Sequence, residues 1–423
     1  MISALNSFKF FRRDITMNKQ IYKSFLALSV ITFCSFTVSF ADTTPAPATS
    51  SAEPVPTVTP VASKQPFIIP PAPQLDAKGY VLMDASTGMI IAHHNMNEKL
   101  HPASLTKLMT LYIVSQAIAQ GQIKLTDMVR INEQAWKTGG SRMFLKLGSD
   151  VSVQDLVDGV IVASGNDACV ALADYVGGNE TTFANMMNQA AQQIGMKNTH
   201  FVDSTGLPDP NHYTTPYDLA LLTRAIITHY PQDYTWYKQK WITFNGIKQP
   251  NRNRLLWRDP TADGLKTGHT EEAGYCLIGS ALRNNMRLIA VVMGAPSDES
   301  RSNDTEALLN YGFRFYQSHQ LFEANTTLAT PRVWMGRKDT VKLGIMEPLV
   351  VTIPTGSYAQ LKPKVDINAH LKAPIKKGDS YGTLEISLNN NVITTVPLVA
   401  LESDAKGNIV SRLWDRAIMV FKK

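Results

Sequence analysis

Cysteine is nearly absent from this 423-residue sequence: there are three, and one of them, Cys34, lies in an apolar N-terminal run. The other two, Cys169 and Cys276, are too few for a disulfide framework in so long a chain. Each sits in an apolar pattern, so two buried thiols are expected rather than a bridge. An excess of one charge is also missing. The formal net charge is +6, but residues 1–41 hold Lys9, Arg12, Arg13, Lys19 and Lys23 against Asp14, and the remainder carries 36 basic and 34 acidic residues. That balance leaves no electrostatic footprint for a nucleic-acid backbone, and no helix-turn-helix, zinc-finger or RNA-binding signature is present, so no nucleic-acid partner is expected. Metal-ligand spacing is lacking too. The nine histidines include no H-E-x-x-H, and adjacent His93 and His94 point to opposite faces of a strand, so no metal or cofactor is expected.

Long apolar runs are equally scarce. The stretch from Phe25 to Val38 has 14 residues, short of the ~20 that a membrane span requires. With Lys19 and Lys23 before it and Ser39-Phe40-Ala41 after it as a small-x-small cleavage site, residues 1–41 read as a signal peptide for export. Met1 and Met17 are both possible starts. Phe33 stands where a lipid-attachment motif requires a small residue before the cysteine, so lipidation of Cys34 is not expected.

What remains is a globular composition, 44% hydrophobic and 18% charged, and a length that at roughly 150 residues per domain suggests two or three units. Residues 42–74 form a linker: Asp42 to Pro73 holds nine prolines and no period able to build a core. In the segment 75–325, Tyr80 to Asp84 and Met89 to His93 read as a hairpin around Ser86-Thr87-Gly88. Leu105 to Ala119 is apolar on nearly every face, which predicts a buried helix. Further helices are predicted over Val153 to Val162, Asp167 to Tyr175, Thr181 to Ile194, Pro216 to Thr228 and Thr305 to Tyr316. Strands are predicted over Gly264 to Thr270, Tyr275 to Leu282 and Arg287 to Met293. Helices between a leading hairpin and trailing strands imply an α+β domain whose antiparallel sheet is assembled from both ends of the segment. Residues 331–405 change to short Val/Ile/Leu runs broken by Gly, Pro and Asn, a small all-β domain.

Three short elements carry chemistry. In Ser104-Leu105-Thr106-Lys107 a spacing of three puts both side chains on one helical face, so the amine reaches the hydroxyl it deprotonates. Alone, the pattern is common, and a serine cap followed by an exposed lysine reads as well. Ser164-Gly165-Asn166 interrupts an apolar helical pattern and presents a hydroxyl and an amide on a turn. Lys266-Thr267-Gly268 opens a strand. The sequence contains its own control, because Lys137-Thr138-Gly139 is a second such tripeptide that precedes the Ser-x-Asn element instead of following it.

S-x-x-K, then S-x-N, then K-T-G on a strand is the set of penicillin-binding proteins and class A β-lactamases. With HPASLTKLMT, GVIVASGNDACVALADYVGG, QPNRNRLLW, DGLKTGHTEEAGYCLIGSA and NYGFRFY, residues 75 to 423 resemble the low-molecular-weight penicillin-binding proteins, serine-type D-alanyl-D-alanine carboxypeptidases of the penicillin-binding protein 5 and 6 type. The resemblance implies a penicillin-binding/β-lactamase-like transpeptidase domain. It makes Ser104 the acylated nucleophile, Lys107 its general base and Ser164 a proton relay. Asn166 would hold a substrate amide, Lys266, Thr267 and Gly268 would face the terminal carboxylate, and backbone N–H groups of Ser104 and His269 would form the oxyanion site. Arg301 matches a carboxylate-binding arginine. A base near neutrality requires a lysine about three pKa units below ~10.4, a cost of ~4 kcal/mol, which an apolar helix and a second cation favour. The only glutamate between Asn166 and Lys266 is Glu180, in a turn where a helix cap is the better reading, so the water-activating glutamate of class A β-lactamases is not found.

The implied activity is removal of the terminal D-alanine from a peptidoglycan pentapeptide, with β-lactams as covalent inhibitors. A D,D-endopeptidase and a non-catalytic cell-wall-binding scaffold protein are the alternatives. Residues 408–423 add a membrane reading. Ile409, Val410, Leu413, Trp414, Ala417, Ile418 and Phe421 fall on one half of a helical wheel, opposite Arg412, Asp415, Arg416, Lys422 and Lys423. A helix of ~20 Å cannot span a bilayer; it lies in the interface or packs on its own domain. Periodicity leaves the two even, and the resemblance favours peripheral attachment to the periplasmic face of the inner membrane.

Overall fold

The computed structural model describes residues 69–368 and 370–421. The signal-peptide reading of residues 1–41, nearly all of the proline-rich linker, Ala369, Lys422 and Lys423 lie outside the described residues.

Gly79–Asp84 (β1) and Ile90–His94 (β2) form the expected hairpin. Far along the chain come Ala262–Thr270 (β3), Gly274–Arg283 (β4) and Met286–Ala295 (β5). The sheet order is β2-β1-β5-β4-β3, antiparallel throughout, with Val81 opposite Val291. Both ends of the first domain thus build one sheet. Strand residues alternate between faces. Val81, Met83, Ile289 and Val291 enter one core with Leu105 and Leu108, whereas Leu82, Leu288 and Ala290 enter another with Leu308 and Leu309.

The helices that cover these faces are Lys107–Ala119 (α1), Val153–Asp158 (α2), Asn166–Gly177 (α3), Glu180–Gln193 (α4), Pro216–His229 (α5) and Asp298–Phe315 (α6). α1 is buried on all sides, as its uniform apolarity predicts. α5 starts as expected, with the Thr215 hydroxyl accepting from Asp218 N–H at 3.1 Å and proline at the first helical position. Two predicted helices differ. The stretch from Val153 to Val162 is α-helical only to Asp158 and then widens into a π turn over Gly159–Ala163. α6 begins at Asp298, not Thr305, capped by Ser297, because its first turns are polar and carry no apolar period.

The second domain holds Tyr316–Phe322 (β6), Thr327–Ala329 (β7), Leu343–Gly344 (β8), Leu349–Pro354 (β9), Leu361–Ile367 (β10), Ser380–Leu388 (β11) and Asn391–Ala400 (β12). β6, which sequence reasoning left with the first domain, pairs with β9. The others form a sheet ordered β7-β8-β12-β11-β10. A buried carboxylate joins the two domains. Asp84 accepts from the N–H groups of Ser86 and Thr87 at 2.8 and 2.9 Å and from the Ser318 hydroxyl at 2.6 Å, so its burial is compensated by donors from both sides.

Ile409–Phe421 (α7) follows. Asp415 ties it to the β-domain by accepting from Met335 N–H at 2.6 Å and Arg332 Nη2 at 3.0 Å. Four of its apolar residues stand outside the domain core: Ile409, Val410, Leu413 and Trp414 are 72%, 76%, 60% and 70% exposed. Among the described residues no helix is long and apolar enough to cross a membrane. Cys169 and Cys276 are buried free thiols, pushed up by burial to about 12 and about 11.

Candidate active site

The nucleophile turn precedes α1. Ala103–Thr106 is a 3-10 turn, in which residues three apart eclipse one another. Ser104 and Lys107 are therefore stacked, with Lys107 Nζ 2.8 Å from Ser104 Oγ. The lysine is fully buried and its Nζ also donates to the Thr205 carbonyl at 2.6 Å. Burial holds this amine below the ordinary lysine range, and the Arg252 charge acts in the same direction. The Nζ donates to Thr205 and to Ser104 Oγ alike, so on losing one proton the amine can keep its bond to Thr205 and accept from the serine hydroxyl. Gly206 makes the approach possible: at φ +81° it lies so close that an added Cβ would sit 1.8 Å from the Ala103 carbonyl oxygen.

The π turn after α2 delivers the second element. Ser164 ends it in the left-handed conformation, φ 55° and ψ 35°, and is buried. This unfavourable backbone geometry turns the hydroxyl towards β3, where Lys266 Nζ donates to it at 2.8 Å. Asn166 opens α3. Its N–H donates to the Ser141 carbonyl and its Nδ2 to the Gly139 carbonyl, both at 2.7 Å. The next residue, Asp167, accepts from the N–H groups of Met143 and Leu145 at 3.0 and 3.1 Å, which pins the 139–145 segment beside the site.

The third element lies on β3, an edge strand whose only neighbour in the sheet is β4. Lys266 is buried, and its Nζ also donates to the Thr267 carbonyl at 3.0 Å. Desolvation, then the charge of Lys107, pushes Lys266 well below its ordinary range. Thr267 is buried beside it. Gly268 lets the strand approach the nucleophile turn, since a Cβ there would be 3.0 Å from the Pro102 carbonyl oxygen. His269 is exposed and its ring lies over Tyr275, centroids 4.0 Å apart.

The structure therefore brings together Ser104, Lys107, Ser164, Asn166, Lys266, Thr267 and Gly268. Arg301 is placed otherwise than a free carboxylate reader. It is buried, donates to the Gly268 and Cys276 carbonyls at 3.0 and 3.3 Å, and is ion-paired with Asp298. It braces β3 from within. The exposed guanidinium at the site is Arg252, which donates to the Ser141 hydroxyl at 2.8 Å and which sequence reasoning did not single out. Thr205 was also missed, because it acts through a backbone carbonyl that no side-chain motif announces. Lys137 is exposed and ion-paired with Glu133, yet Gly139 of the same tripeptide reaches the site through its carbonyl. Glu180 is the first residue of α4, whose cap is Asn179, and its two carboxylate oxygens accept from the Ser204 hydroxyl and N–H at 2.7 and 3.1 Å.

Comparison with known proteins gives the family. The family profile described as D-alanyl-D-alanine carboxypeptidase matches residues 66–297, and the one described as penicillin-binding protein 5, C-terminal domain, matches residues 316–406. D-alanyl-D-alanine carboxypeptidase DacC of Escherichia coli is 46% identical over 358 residues, 83% of this chain and 90% of that protein. The crystal structure of penicillin-binding protein 5 from Haemophilus influenzae is 43% identical, superposes with a TM-score of 0.77, and covers 80% of this chain and 100% of its own. Penicillin-binding protein D2 from Listeria monocytogenes in its ampicillin-bound form is 31% identical, with a TM-score of 0.54 over 58% of this chain and 100% of its own.

Proposed function

The chain belongs to the D-alanyl-D-alanine carboxypeptidase family and is a serine D,D-carboxypeptidase; we propose that it removes the terminal D-alanine from peptidoglycan pentapeptide side chains through an acyl-enzyme on Ser104. The observation that carries the mechanism is the pair of buried lysine–serine contacts, Lys107 with Ser104 and Lys266 with Ser164, each at 2.8 Å. Neutral Lys107 takes the Ser104 proton as Oγ attacks the carbonyl of the penultimate D-alanine. Backbone N–H groups of Ser104 and His269 receive the oxyanion. The proton passes through Ser164 to the leaving amine, the peptide C–N bond breaks and free D-alanine departs. Water then attacks the ester, with Lys107 again taking a proton, and Ser104 is restored.

Asn166 holds a substrate amide, while Lys266, Thr267 and the exposed Arg252 read the terminal carboxylate; Gly268 gives that carboxylate room and Arg301 keeps the strand in place. The same nucleophile opens a β-lactam ring and retains the acyl group. The export signal and the exposed apolar face of α7 support a location in the periplasm, peripherally attached to the inner membrane. Release of D-alanine from a synthetic pentapeptide tests the reading. Activity retained in Ser104→Ala sinks it.

A further inference from the structure

Three loops meet at the end of the β-domain from which α7 departs: Gly336 bridges to Lys406, Ile375 to Asp404, and Trp334 to Lys372. Residues 332–340, 372–379 and 401–407 together hold seven Lys/Arg and four Asp/Glu. Several of these charges are already paired. Arg332 binds Asp415, Lys338 binds Glu402, and Asp404 is buried and accepts from Lys338 N–H. Arg337 and Lys406, like Lys372, Lys376 and Lys377, have no ion-pair partner among the described residues, and Asp339 is an exposed carboxylate on the same loop as Arg337.

A groove of about 550 Å³ runs between this loop and α7, lined by Arg337, Lys338, Gly407 and Trp414 and also by the carboxylates Asp339 and Asp415, the second of which is paired with Arg332; Lys406 flanks it, one residue before Gly407. Trp414 also lines the apolar face of the helix with Val410, Leu413 and Ala417, so the groove and the bare apolar face meet at Trp414, beside the polar Asn408 and Ser411 that line both. An indole at the border between cations and an unburied apolar stripe suits the boundary between phosphate and acyl chains. Nothing in the domain core demands cations there.

We propose that this end of the β-domain is a headgroup site for anionic phospholipid, in which Arg337 and Lys406 hold the headgroup phosphate beside Trp414 while the apolar face of α7 enters the acyl boundary. The guanidinium supplies paired donors for phosphate oxygens, and Lys406 adds a point charge from the neighbouring segment. The β-domain then takes part in binding the membrane and fixes the direction in which the chain stands on it. This inference rests on the reading of α7 as a membrane anchor.

The test is sedimentation of the mature chain with vesicles of phosphatidylcholine alone or mixed with phosphatidylglycerol. Arg337→Gln and Lys406→Gln each weaken partitioning to the mixed vesicles about fivefold, the effect of one cation near an anionic surface. Binding to phosphatidylcholine and acylation by a β-lactam stay unchanged. Lys362→Gln, at the far end of the sheet beside Asn390, is the control for diffuse attraction and has no effect. If Arg337→Gln binds mixed vesicles like wild type, or if Lys362→Gln loses as much, the headgroup site is wrong. Leu413→Asp separates the two readings: it abolishes binding to both vesicle types if α7 is the anchor, and unchanged binding overturns the anchor itself.

Discussion

The side-chain amide of Asn166 donates to the backbone carbonyl of Gly139 at 2.7 Å, joining the Ser-x-Asn turn to a Lys-Thr-Gly tripeptide that takes no other part in the chemistry. The contact exists because Gly140, at φ +80°, turns the chain so tightly that a Cβ there would sit 2.6 Å from Asn166 Nδ2. The two copies of the tripeptide thus serve one site in different ways, one through its lysine and the other through its backbone.

Gly140→Ala is accordingly expected to displace Asn166 and to lower kcat/KM on a pentapeptide about a hundredfold, the usual cost of misplacing a positioning group by ~1 Å. Lys137→Ala, three residues away and exposed, leaves kcat/KM near wild type. Equal effects of the two substitutions would show that the Gly139 carbonyl does not position Asn166.

A β-lactam should add one acyl group per chain, on the peptide containing Ser104. Lys107→Ala should slow that acylation by about a thousandfold or more, as loss of a general base does. Intact-mass spectrometry reads both; a label on Ser164 would overturn the assignment.

Acylation needs neutral Lys107, so its rate rises with pH through the folded pKa, which burial and then the Arg252 charge hold below the ordinary lysine range. Arg252→Gln removes one of these causes and should move the rising limb of the acylation–pH profile to higher pH. Stability follows the same sign. Between the folded pKa and the ordinary one the unfolded chain binds more protons, so the wild type gains stability relative to Lys107→Met as pH rises through that window. A limb unmoved in Arg252→Gln would mean that Arg252 does not act on Lys107.

Replacing the substrate's terminal carboxylate by an amide should cost wild type activity by orders of magnitude. If Arg252 reads that group, the cost shrinks in Arg252→Ala. In Arg301→Ala, which loses the brace on Gly268 and not a ligand contact, both substrates suffer alike. The reverse pattern would return Arg301 to the carboxylate.

Asp84→Ala should destabilise the chain by about 1–2 kcal/mol, because it removes the buried acceptor that part-buried donors at Ser86, Thr87 and Ser318 share at the seam of the two domains. Urea unfolding measures this, and acylation of Ser104 at temperatures well below the transition should persist.

The sequence by itself determined the chemistry of the site and most of the framework that holds it. S-x-x-K, S-x-N and the second K-T-G are each confined to a few residues, and the apolar run of α1 and the alternating strands are local periodicities, so both kinds of signal survive without coordinates. Only the tertiary structure decided which groups from distant segments complete the site. The Thr205 carbonyl at Lys107, the Gly139 carbonyl at Asn166, the placing of Arg252 beside Ser141 and the burial of Arg301 against the Gly268 carbonyl depend on how loops fold over one another, and backbone carbonyls look alike in any sequence. The same holds for α7. Its periodicity fixes one apolar face, but whether that face is covered depends on how Asp415 ties the helix to Met335 and Arg332, and there Ile409, Val410, Leu413 and Trp414 are left bare.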